Sequence, residues 1–117
     1  MSSAEYRANG KPSRNKYGAR KTVVDGITFD SKAEAAYYAS LRLRYLADEV
    51  VSVELQKPYP LTINGFVVGV YKADFAFHDV PAGKYRVIDV KGKDTPLSKL
   101  KRKMVKAIYG LDVELAK

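Results

Sequence analysis

Apolar positions in the first twenty or so residues follow no period, while Ser, Asn, Gly and basic side chains recur, so residues 1–21 read as a flexible basic arm. Folded structure is expected over 22–117, as one small domain. Thr22-Val23-Val24 and Ile27-Thr28-Phe29 flank Asp25-Gly26, the pattern of two short strands about a tight turn. From Ser31 to about Ala47 there is neither Gly nor Pro, and Ala33, Ala36, Tyr37, Leu43 and Leu46 form an approximate apolar stripe, which predicts the first helix. Val51, Val53 and Leu55 then alternate, and Lys57-Pro58 is expected to break the run before a strand over 59–63. Asn64-Gly65 predicts a hairpin into a strand from Phe66 through Tyr71 toward Phe77. A turn at Pro81-Ala82-Gly83 leads to a strand over 84–91.

The last helix is the best-marked element. Thr95 suits the N-cap, Pro96 the first helical position and Gly110 the stop, with Leu97, Leu100, Met104, Ala107 and Ile108 at helical spacing. A short strand over 113–115 closes the chain. Helix, strands, helix, strand describes an α/β (α+β) domain: a central mixed sheet flanked by helices.

Composition narrows the chemistry. The 117 residues hold no cysteine, which excludes disulfides, thiolate zinc sites and thiol catalysis. No apolar run approaches the roughly 20 residues of a membrane span, and none follows Met1 as a signal peptide would, so an intracellular, cytoplasmic protein with no membrane partner is expected. Lys+Arg number 21 against 13 Asp+Glu, a net charge of +8, which points to a polyanion and by default to nucleic acid. The charge is uneven: residues 1–21 carry six basic and one acidic side chain, residues 91–117 eight and three, and the stretch between them seven and nine. In the arm, Lys16, Arg20 and Lys21 are candidates for phosphate contacts and Tyr17 for stacking on a base. In the last helix, Lys99, Lys101, Arg102, Lys103 and Lys106 form a basic face without one acid among them.

The acidic middle holds the candidate chemistry. In K-Y-R-V-I-D-V-K, Asp89 and Lys91 share one strand face, roughly 7 Å apart along the chain. A solvent-facing ion pair is the plain alternative. Asp74 stands among apolar neighbours, where an unpaired carboxylate is costly. If the two strands are neighbours, Asp74 and Asp89 converge, and Glu34 is a third candidate, although Ser31-x-x-Glu34 also reads as a capping box. Converging carboxylates suit a hard divalent cation such as Mg²⁺, with Mn²⁺ as a substitute, and a lysine beside them suits phosphodiester hydrolysis. Gln56 is a further polar group near the expected site. His78, the one histidine, reads as a surface or turn residue because no Ser, Cys or second His stands at catalytic spacing.

Helix-Glu34, strand-Asp74 and Asp89-Val90-Lys91, in that order, resemble the PD-(D/E)XK nuclease superfamily with its restriction-endonuclease-like fold. The stretches around Asn15–Arg20, Phe29–Glu34 and Val90–Gly92 are further similar to small phage-encoded nucleases of the Holliday-junction-resolvase type. The resemblance implies a metal-dependent endodeoxyribonuclease acting on branched or duplex DNA, from a phage or prophage. It also implies a homodimer, and metal ligation by Asp74, Asp89, the Val90 carbonyl and Glu34, with Lys91 catalytic. Ala73 stands where the superfamily's name has proline. Two rival expectations stand beside it. One is a non-catalytic nucleic-acid-binding module; the other is a nuclease of the same fold acting as a repair nickase or transposase-like end cutter.

Overall fold

A computed structural model describes residues 21–91 and 94–117, so the expected arm, with Lys16, Tyr17 and Arg20, lies outside the described residues. The chain divides into two compact units, one ending at Ala35 and the other running from Ala36 to Lys117. In the first, β1 (Thr22–Val24) and β2 (Ile27–Phe29) form an antiparallel hairpin. Asp25 and Gly26 both take positive φ, the geometry that matches a two-residue turn to the strand twist. Helix α1 (Lys32–Leu46) then begins, its first turn capped by Ser31 Oγ, which accepts the Glu34 N–H at 3.1 Å.

The second unit is built on a four-stranded mixed sheet: β3 (Val50–Ile63), β4 (Phe66–Asp79), β5 (Lys84–Val90) and β6 (Val113–Ala116), in that spatial order. The first two pairings are antiparallel. β5 and β6 are parallel, so a crossover must join them, and α2 (Pro96–Tyr109) is that crossover. Both ends of α2 are capped as the sequence indicates. Thr95 Oγ1 accepts the Ser98 N–H at 3.1 Å, and Gly110 adopts φ +72° while its N–H bonds to the Lys106 carbonyl at 2.9 Å.

Successive residues of β5 face opposite ways, which defines two layers. On one face, Val87 joins Tyr59, Leu61, Tyr71 and Ala73 around Val105 of α2, with Met104, Leu111 and Val113 packed at the margin. On the other, Arg86 and Ile88 lie opposite Phe77 and Phe75, the Tyr37 ring of α1 sits 5.0 Å from that of Phe75, and the Arg86 guanidinium lies 5.6 Å over Phe77. The α+β class with a mixed sheet and a helix on each face is what the chain adopts. Among the described residues no helix is long and apolar enough to cross a membrane.

Three local expectations are corrected. Lys57-Pro58 does not interrupt β3, which runs unbroken through Pro58 and Pro60. β3 is an edge strand, so residues without an N–H leave no ladder bond unmade on its open side. Val51 does not share a face with Val53 and Leu55. The register shifts between Val51 and Glu54, Ser52 takes φ +55°, and Val51 turns outward while Val50 is fully buried. Neither expected helical stripe is the buried one. In α1, Leu43 and Leu46 are exposed whereas Glu34, Ala35 and Leu41 are buried and Arg44 half-buried; in α2, Leu97 and Leu100 are exposed and Val105 is fully buried.

The Phe77 face is locked by charge. Asp79, 3% exposed, accepts from Arg44 Nη1 and Nη2 at 3.1 and 3.0 Å and from Arg86 Nη1 at 2.9 Å, and Arg86 also bonds Glu114 through Nε and Nη2 at 2.9 and 2.6 Å. Hydrogen bonds from Arg44 and then Arg86 hold the Asp79 carboxyl well below the usual carboxylate range. A folded-state pKa depressed in this way contributes stability that is fully present above the ordinary value of about 3.9 and is lost as pH falls through the folded one. Asp79→Asn is therefore expected to lower the urea midpoint at pH 7 with little change in slope, and its gap from wild type should narrow below about pH 4. Urea titrations of both proteins across that range check this.

Candidate active site

β4 and β5 pair from Asp79↔Lys84 as far as Phe75↔Ile88, and among the described residues the ladder goes no further. Beyond that point β4 continues toward Phe66 while β5 ends at Val90 and the chain leaves for α2. Asp74 stands in the fork. Its Oδ2 accepts the Val90 N–H at 2.8 Å, so a side-chain carboxylate takes the place of the next backbone acceptor. This single bond sets Asp74 against the backbone of the Asp89-Val90-Lys91 segment.

The side-chain phase of β4 also changes here. Tyr71 and Ala73 belong to the layer of Val87, whereas Phe75 and Phe77 face the opposite layer, although all four are odd-numbered. Opposite this slip, β3 is irregular too: Leu55↔Phe75 and Lys57↔Ala73 pair, the intervening Gln56 takes φ +53°, and its Nε2 donates to Asp74 Oδ1 at 3.3 Å. Such departures from strand geometry re-aim side chains and cluster beside functional sites.

Asp89 is 3% exposed, so the plain alternative of a solvent-facing ion pair does not describe it. Its Oδ2 accepts from the Tyr71 hydroxyl and lies 3.3 Å from Lys91 Nζ. Burial, and secondarily the bond to Asp89, pushes the Tyr71 hydroxyl above its ordinary pKa, so it remains a donor at neutral pH. Lys91 is anchored through its backbone, its N–H bonding to the Ala116 carbonyl of β6 at 3.0 Å. β6 thus positions the lysine, β5 the buried aspartate and β4 the second one. Tyr71 was not singled out from the sequence. A buried tyrosine hydroxyl requires a partner, but its partner lies on another strand, beyond the reach of periodicity.

The other candidate residues fall elsewhere. Glu34, 6% exposed, lies in the first turn of α1 and belongs to the first unit. His78 is exposed on β4. Lys21 pairs with Asp30 at 3.6 Å, both largely exposed. On α2, Lys99, Lys103 and Lys106 are exposed, with Lys106 2.9 Å from Asp112. Lys101 donates to the Val70 carbonyl at 3.3 Å. The Arg102 guanidinium grips both Asp94 oxygens at 2.8 Å and keeps that carboxyl below its ordinary pKa.

The donor set can be matched against a cation. Asp74 and Asp89 supply hard carboxylate oxygens, and among the described residues no third Asp, Glu, His or Cys completes a cluster. Mg²⁺ typically takes one or two carboxylates and keeps its waters, so the donor type of these two aspartates suits it.

Residues 14–116 match the family described as "Protein of unknown function (DUF1064)". The chain belongs to that family. No curated protein and no solved structure matches it.

The bond at the fork makes a structural demand that can be separated from chemistry. Asp74→Ala strands the Val90 N–H and is expected to cost about 1–3 kcal/mol, whereas Asp74→Asn keeps an acceptor and should cost less than about 1 kcal/mol. Paired urea denaturation curves measure the difference.

Proposed function

We propose that the chain is a Mg²⁺-dependent DNA endonuclease that hydrolyses phosphodiesters and selects branched DNA, in the manner of a Holliday-junction resolvase. The observation that supports this reading is the bond from the Val90 N–H to Asp74, which brings Asp74 to the strand segment that carries Asp89 and Lys91. Order and residue type agree with the PD-(D/E)XK pattern that the sequence resembles, and the sheet flanked by helices is compatible with its fold. The basic balance of +8 supports a polyanionic substrate.

Each residue has a task in this reading. Asp74 and Asp89 would hold the Mg²⁺, with the Val90 carbonyl as an additional donor. When bound, the ion lowers the pKa of a coordinated water and neutralises charge on the phosphate. Tyr71 fixes the orientation of the Asp89 carboxylate, and Gln56 does the same for Asp74. The Lys91 ammonium orients the attacking water and offsets the negative charge that accumulates on the phosphoryl oxygens as the bond to phosphorus forms. Lys99 and Lys103, exposed on α2, would track the phosphate backbone. Nothing in the chain resembles a helix-turn-helix or zinc-finger reader, so selectivity for shape is favoured over selectivity for sequence. A homodimer would let two sites cut two strands of a junction.

A second reading rests on the same contacts. Asp74 is engaged by Val90 and Gln56, and Asp89 by Tyr71 and Lys91, so both carboxylates could be purely architectural in a DNA-binding module. Asp89→Asn separates the two. As an endonuclease, wild type nicks a four-way junction with Mg²⁺ or Mn²⁺ in preference to flap or linear duplex. The variant then loses at least about 100-fold in rate while binding DNA as well as before or more tightly, a loss of the size seen when one preorganised catalytic group is removed. Absence of wild-type cleavage across four-way, flap, duplex and single-stranded substrates with either metal selects the binding module.

A further inference from the structure

Where β4 and β5 separate, the fork opens into a cleft of about 330 Å³, and the first turn of α2 forms its far wall. Tyr71 and Lys72 of β4, Lys91 just past β5, and Thr95, Ser98 and Lys101 of α2 line it. Three lysines and three hydroxyl-bearing residues thus line one space from three separate segments of the chain, and no acidic residue is among its described lining residues. Bringing like charges together is unfavourable unless something anionic joins them. Of the acids beside it, Asp89 is buried and held by Tyr71 and Lys91, and Asp94 is gripped by Arg102. Lys91 belongs both to the cleft and to the aspartate pair, so whatever occupies the cleft lies beside the proposed reacting centre.

We propose that this cleft is a subsite for a DNA backbone phosphate, the one next along the strand from the phosphate that is cleaved, held by Lys72 and Lys101 with Thr95 and Ser98 at its edge. The placement of the cleaved phosphate rests on the endonuclease reading; the binding of a phosphate does not. Lysine supplies a mobile point charge with three donors, which suits an exposed phosphodiester whose orientation varies between branched and linear DNA. Lys101 now donates to the Val70 carbonyl, on the stretch of β4 that β5 no longer covers. That contact holds its ammonium at the mouth of the cleft, and a phosphate oxygen arriving there meets a charge already in position. Lys72 has no counterpart in the phosphate contacts expected from the sequence, because nothing in its local pattern marks it; the fork brings it to the site.

The test is equilibrium binding of a fluorescent four-way junction and of its linear duplex, in EDTA so that neither cleavage nor metal enters, across a series of KCl concentrations. Each lysine–phosphate contact contributes about −0.9 to the slope of log K against log[KCl] on duplex DNA. The Lys72→Ala/Lys101→Ala pair is expected to flatten the slope by between about one and two and to weaken binding at least about tenfold at low salt, whereas Lys84→Ala, at the opposite end of β5, leaves both near wild type. The Lys72→Arg/Lys101→Arg pair keeps the charge and should keep the wild-type slope. A wild-type slope in the double alanine variant overturns the subsite, and so does an arginine pair that loses binding as severely as the alanine pair. Failure of the endonuclease reading shows instead as absent cleavage by a wild type whose binding still depends on Lys72 and Lys101.

Discussion

A single hydrogen bond organises the functional end of the molecule: the Val90 N–H donating to the Asp74 carboxylate. Two antiparallel strands that stop pairing normally expose a donor and an acceptor, and leaving an amide without a partner in a partly buried place costs free energy comparable to a lost hydrogen bond. Here a side chain supplies the acceptor, so β4 and β5 diverge after Phe75↔Ile88 with the next amide still satisfied. The divergence makes room for the cleft, and the substitution of carboxylate for carbonyl sets a negative charge on the Val90 amide, between Asp89 and Lys91 in the chain. Architecture and candidate chemistry thus have one origin.

The two faces of the sheet are held differently. The Val87 face is an aliphatic and aromatic cluster against α2, governed by close packing. The Phe77 face carries the Arg44–Asp79–Arg86–Glu114 network. Buried ion pairs recover much of their desolvation cost only when their geometry is good and their remaining hydrogen-bonding capacity is satisfied. Asp79 meets that condition with three guanidinium contacts and the Ala82 N–H. The network ties α1 to β4, β5 and β6.

Much of the scaffold was legible in the sequence because local chemistry determines it. Asp25-Gly26 and Asn64-Gly65 fixed two hairpins, and Thr95-Pro96 and Gly110 bounded α2. Elsewhere the tertiary environment overrode the pattern. The buried side of α1 includes Glu34 and Arg44, so hydropathy periodicity points to the wrong stripe. Pro58 reads as a breaker until β3 is known to be an edge strand. For the site, period two placed Asp89 with Lys91, and the approach of Asp74 to the Val90 amide followed from adjacency of the strands. Tyr71 and Lys72 were hidden because their roles depend on the slip in β4 and on the fork, neither of which leaves a mark in the spacing of residues.

The central claim, that two aspartates distant along the chain grip one divalent ion at the strand fork, is tested most directly by anomalous diffraction from crystals of the protein soaked in Mn²⁺. The expected result is one strong peak lying about 2.2 Å from an oxygen of Asp74 and from an oxygen of Asp89, near the distances that small divalent ions take from oxygen ligands. A fork with no anomalous signal at saturating Mn²⁺, with both carboxylates still held by protein groups such as Val90, Gln56, Tyr71 and Lys91, would contradict it and leave the aspartates as parts of the scaffold.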